Sequence, residues 1–156
     1  MLKEIDTRCS TSGLLTATGA ETVYDTTVAV AFTINGKQYS KATVADGATP
    51  TTDGDAAAFE TLAASEGCCM VWALKADGTV GVFQGDVVAL DSANEPVSAL
   101  MFPDVDLETW APFAYQTLKN GSTGSTFTFG TSNWNATGMT VVITNVGTLP
   151  PRPPTT

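Results

Sequence analysis

Between Val28 and Val44 two alternating runs flank Asn35-Gly36: Val-Ala-Val-Ala-Phe-Thr-Ile before it and Lys-Gln-Tyr-Ser-Lys-Ala-Thr-Val after it. A two-residue type I′ turn needs φ > 0 at both central residues, and Asn-Gly supplies it. The turn sets the register, with Ile34 opposite Lys37, Phe32 opposite Tyr39 and Val30 opposite Lys41. One face of this hairpin is apolar near its middle and carries an aromatic cross-strand pair. A chain that commits so strongly to a hairpin is held to a β-rich fold. The pattern points to a scaffold that presents surface rather than to a reaction.

The same logic extends along the chain. Cys68–Lys75 and Thr79–Gln84 flank Asp77-Gly78, and a second two-residue turn would set Trp72 opposite Phe83 and Leu74 opposite Gly81. Phe113–Lys119, Thr126–Phe129 and Met139–Val146 read as further strands, with a loop around Trp134 and Gly138. One helix is expected, from Ala56 to Glu66. Asp53 or Asp55 would cap it, Phe59, Leu62 and Ala63 would form its apolar stripe, and Gly67 would stop it. Asp46–Asp55 reads as a loop. Residues 1–22 read as an extended N-terminal arm, 23–146 as the β-domain and 147–156 as a proline-rich C-terminal tail. The fold class is therefore mainly all-β: a single antiparallel β-sandwich or barrel-like domain, one short helix, and extended arms at both ends. Trp72, Phe83, Phe113 and Tyr115 fall at core positions, whereas Trp110 and Trp134 lie near loops, where one of them could meet a partner.

At 156 residues the chain can bury a core without staples. Its formal charge is −9, and between Asp46 and Glu108 there are 12 carboxylates and one base, Lys75. Such a surface repels phosphate backbones, so nucleic acid is not an expected partner. No apolar run approaches the roughly 20 residues that span a bilayer, so no membrane partner is expected either. Residues 1–9 lack the apolar core of a signal peptide, and secretory export is not expected. Cys9, Cys68 and Cys69 are an odd set with two adjacent members, which suits reduced thiols rather than a disulfide framework.

With no histidine, the commonest general base is missing, and a metal site is disfavoured. Two carboxylate sets remain, Asp53/Asp55 and Asp104/Asp106/Glu108. They could do glycosidase-type work only if the fold set two of them about 5–9 Å apart across a sugar. Both sit among turn residues, where Asp shapes turns. Asp53-Gly-Asp55 starts like a calcium loop, but Ala57, Ala58 and Ala64 stand where a ligand, a Gly and a Glu are needed. Catalytic, cofactor-binding and metal residues are accordingly assigned as none, and no cofactor is expected. Pro150-Pro151-Arg152-Pro153-Pro154 reads as a stiff tail that packs on a neighbour.

Several segments taken together carry a likeness. They are Val30–Ala42, Leu74–Val80, Ala111–Leu118, Phe127–Thr131 and Ala136–Thr140. Over roughly residues 28–146 the chain resembles a group of small structural proteins of tailed bacteriophages, in particular proteins of the virion shell. The resemblance implies a β-rich homotrimer without catalytic residues, made in the bacterial cytoplasm and carried on the outside of the capsid. Its partner would be the major capsid protein, and its role that of a capsid decoration (cement) protein. The alternatives are another virion component, such as a head fibre, tail or minor capsid protein, or a non-viral β-rich binding module. Cys68-Cys69 and the proline-rich end depart from the group.

Overall fold

The structure, a computed structural model, describes residues 6–11, 15–17 and 22–153. Parts of the expected N-terminal arm (1–5, 12–14 and 18–21) and the end of the tail (154–156) lie outside the described residues. In chain order the strands are β1 (Arg8–Cys9), β2 (Leu15–Ala17), β3 (Val23–Thr26), β4 (Val30–Ile34), β5 (Lys37–Lys41), β6 (Gly47–Ala48), β7 (Glu66–Leu74), β8 (Val80–Gln84), β9 (Val88–Ala89), β10 (Ala111–Asn120) and β11 (Met139–Asn145). They pair antiparallel in three sheets: β1-β4-β5, β2-β3-β6, and a five-stranded sheet ordered β11-β10-β7-β8 with β9 also on β7. The described residues are all-β, and the sheets do not close into a barrel.

β7 organises the molecule. From Gly67 to Leu74 every residue is buried, as a central strand covered on both faces requires. Cys68, Met70, Trp72 and Leu74 enter a large core shared with Tyr24 of β3 and with Val30, Phe32 and Ile34 of β4. Cys69, Val71 and Ala73 point the other way, into a smaller core with Phe83, Leu100, Val105, Trp110 and Tyr115. The adjacent cysteines thus face opposite sides of one sheet. A bulge in β10 near Phe113 lets the neighbours Phe113 and Ala114 both enter the large core.

The first hairpin has the expected register, and Asn35 (φ 51°) and Gly36 (φ 76°) take the I′ conformation. The second does not. Only Gly78 has positive φ there, the Gly78 N–H donates to Lys75 O, and Asp77 Oδ1 accepts the Thr79 N–H at 2.8 Å. A three-residue loop of this kind shifts the pairing by one residue, so Trp72 faces Val82, Leu74 faces Val80 and Gly81 faces Ala73. The room left by Gly81 goes to the Trp110 ring, which a Cβ there would meet at 2.4 Å.

The expected helix is absent: among the described residues there is none. Asp53 Oδ1 accepts the N–H groups of Asp55 and Ala57, and Ala56 turns left-handed (φ 65°), which ends the first turn. Beyond it the backbone is claimed by distant partners. Glu60 N–H donates to Gln84 Oε1, whose Nε2 donates back to Glu60 O; Leu62 exchanges both its bonds with Phe127. Asn120 Nδ2 reaches Leu62 O and Ala63 O. Phe59 and Leu62 are still buried, from an extended segment. Residues 126–129 are not a strand either: Phe127 makes one isolated bridge to Leu62, and Thr128 O then accepts the N–H groups of Thr131 and Ser132.

Candidate functional site

Asp53 and Asp55 do meet a member of the other carboxylate set, across a surface groove of about 290 Å³ that also holds Asp86, Gln84 and Phe102 with Asp104. The sequence put these acids in separate loops. β8 and the loop after it supply one wall and the 102–104 segment the other. The remaining two acids do other work. Asp106 Oδ2 accepts the Thr109 hydroxyl at 2.6 Å and its Oδ1 the Glu108 N–H. The hydroxyl first and the amide second hold this carboxyl below the ordinary carboxylate range. The turn so built delivers Trp110 to the smaller core. Glu108 sits at the tip of the first hairpin, where its carbonyl accepts Asn35 Nδ2. Asp77 and Asp91 shape turns in the same way: backbone N–H donors, from Thr79 to Asp77 and from Glu95 and Ala93 to Asp91, lower both carboxyls. Among the described residues, no group of three or more His, Cys, Asp or Glu could hold a metal ion.

The thiols are poor nucleophiles. Burial pushes Cys9 up to about 11 and both Cys68 and Cys69 up to about 12, so all three stay protonated at neutral pH. Both tryptophans that the sequence left near loops are inside. Trp110 stacks edge-on with Phe83 under the Lys75 ammonium, and Trp134 lies against Trp72 and Phe129. Neither is available to a partner from the surface, with 4% and 3% exposure.

A larger groove, about 510 Å³, lies on the same side of the five-stranded sheet as the smaller core. Its floor is three cross-strand pairs of β10 and β11: Tyr115 with Thr144, Thr117 with Val142, and Lys119 with Thr140. Its wall is the 95–100 segment, tied to the sheet by the Val97 N–H to Ala89 O bond and by a 2.6 Å ion pair between Glu95 and Lys119. That pair leaves the groove without net charge. Pro153 also lines it and is buried, so the proline-rich segment touches its own sheet at this residue. Val97 (70% exposed) and Val142 (54%) stand open to solvent here, with Met101 just beyond the wall.

Sequence reading found β11 but not this groove. The available signal was the composition of Met139–Asn145, which has no charge and no proline, although strands that end a sheet commonly carry one or the other. Compared with known proteins, the chain matches no family model, no curated protein and no solved structure.

Proposed function

We propose that this chain is a virion structural protein of a tailed bacteriophage, a capsid decoration protein that binds the major capsid protein on the outside of the head and stabilises the shell. The observation that carries the reading is the division of its surface. Four aspartates gather on one groove, while the other groove is neutral and lined by β-branched side chains. The two grooves adjoin on the same side of the sheet, through the 5.0 Å contact between the Phe102 and Tyr115 rings. A body of this kind docks by shape through the neutral groove and leaves the acidic one beside it in solvent, away from the genome. In this reading the sheets form a sandwich-like body. Within residues 1–22, β1 pairs with β4 and β2 with β3, and Pro153 of the tail is buried, so in this reading the docking contact rests on the neutral groove rather than on extended arms. The protein works as a homotrimer without cofactor, catalysis, nucleic acid or membrane. Multivalency then turns modest single contacts into firm attachment.

The test is to mix purified protein with shells assembled from the major capsid protein of the same phage and image them. Saturable density on the outer surface, with shells that rupture at higher temperature, is the expected result. Density only on tails or fibres would move the assignment to another virion component. No binding to any particle would remove the reading.

A further inference from the structure

After β11 the chain is hydrogen-bonded only as far as Gly147. Val146 N–H donates to Phe113 O at 3.0 Å, and Cys9 N–H donates to Gly147 O at 2.7 Å. From Thr148 to Pro153 no main-chain hydrogen bond is made among the described residues, and Pro150, Pro151 and Pro153 have no N–H to give. Apolar contact holds this segment instead. Leu149 packs on the smaller core, Pro153 is buried where it lines the neutral groove, and Pro151 and Arg152 between them are exposed.

A second hollow, about 430 Å³, lies beside the groove. Arg8, Cys9 and Pro150 line it, and it shares Tyr115 and Thr144 with the neutral groove. The tail thus gives Pro150 to one hollow and Pro153 to the other, and both hollows use the same cross-strand pair as floor. We propose that residues 148–153 are a strap, hinged at Gly147, which crosses the Tyr115–Thr144 pair, covers part of the docking surface and has to lift before a partner can seat. This rests on the docking role given to the groove above and adds a control on it. With the strap lifted, the two hollows join into one trough along β10 and β11. The trough carries no net charge, because Arg8 is paired with Asp6 at 3.3 Å as Lys119 is with Glu95.

The strap is built to be displaced. It makes no main-chain bonds, so lifting it strands no buried donor or acceptor. Its prolines hold it extended whether closed or open, so laying it down costs little chain entropy. Its chemistry also states what replaces it: an extended, uncharged segment of the major capsid protein, with a proline or β-branched side chain in the seat of Pro153. Strap and partner then compete for one floor, and docking weakens in proportion to the fraction of protein whose strap is closed.

A cysteine on the shared floor reads the strap without any partner. Cys9, Cys68 and Cys69 are buried and protonated, so a thiol introduced by Thr144→Cys is the one that reacts readily. In that protein Pro153→Asn, polar but uncharged, should raise the rate of thiol labelling several-fold. Pro153→Val, which keeps an apolar anchor, should leave the rate near its starting value and so separates a lifted strap from general loosening. With Thr144 restored, Pro153→Asn protein should bind shells of the major capsid protein several-fold more tightly than wild type. Labelling that ignores Pro153→Asn would overturn the strap. Faster labelling with equal or weaker shell binding would overturn its control of docking. If neither protein bound any particle while labelling still responded, the virion reading would fall and the strap would stand as a cover on the groove.

Discussion

On one face of the five-stranded sheet, Cys68, Met70, Trp72 and Leu74 disappear beneath strands of the other two sheets. On the opposite face Cys69, Val71 and Ala73 lie under a loop that carries Leu100, Val105 and Trp110, and that cover stops short of Thr117, Val142 and Thr144. The strands are the same; their neighbours differ. Trp72 shows what full cover allows. Its ring lies within 5.1–6.0 Å of Tyr24, Phe129 and Trp134, and its Nε1–H donates to the buried Gln116 Oε1 at 2.6 Å. Val142, two strands away, stands half in solvent. Stability is concentrated on the first face, and the second keeps the room for contact.

Substitutions can break this contrast in order of cost. Trp72→Ala leaves a large void and an unpartnered Gln116 Oε1, and should destabilise by about 3–5 kcal/mol in urea unfolding. A loss below about 1 kcal/mol would mean that the sealed face is not sealed. On the loop-covered face Gly81→Val drives a side chain into the Trp110 ring, and overpacking there should cost about 1–3 kcal/mol. Trp110 fluorescence should shift with it. At the sheet ends the cost falls again. Gly36→Val has open space around it, so only its left-handed backbone is strained, at about 1–2 kcal/mol. Gly78→Val should cost slightly more, since its Cβ also meets the Lys41 side chain at 3.3 Å. Val142→Thr, on the open face, should stay within about 0.5 kcal/mol of wild type.

The smallest effect at neutral pH comes from the thiols, one or more on each face. Their protons are held in the folded state well above the ordinary value of 9.0, whereas the unfolded chain releases them near it. The unfolded state therefore binds fewer protons between pH 9 and about 12. Stability owed to the thiols should be intact below pH 9 and fall as pH rises toward 12, visible as a dropping melting temperature. A thiol reagent at about pH 8 should label the folded protein far more slowly than the unfolded one, as the stopped-flow absorbance of released dye would read.

Two turns of nearly the same composition mark how far local reading reaches. Asn35-Gly36 adopts the I′ turn that its residues favour, and β4–β5 pair in the register that follows. At Asp77-Gly78 the carboxylate captures the Thr79 N–H, only the glycine turns left-handed, and every partner across β7–β8 moves by one. The dipeptides look alike, but the side-chain acceptor differs. Strands β10 and β11 were also legible, because alternation over seven or more residues is a long signal. The acidic groove was not, since Asp53, Asp55, Asp86 and Asp104 come from segments that only the fold brings together.

The chain by itself determined the first hairpin, the β-rich class and the two long strands, for these rest on backbone preference and on neighbours a few residues away. Tertiary structure decided the 56–66 segment. Phe59 and Leu62 carry a spacing that a helix could use, but helix formation must begin with a costly first turn whose bonds are all local. Here Gln84, Asn120 and Phe127 offer the same backbone groups ready-made partners from the folded sheet, and the extended form keeps both apolar side chains buried. Tertiary structure likewise decided the two faces of the sheet. Which residues of a buried strand meet a second layer, and which are left at an open groove, depends on segments far away in sequence, and that distance is what a local pattern cannot encode.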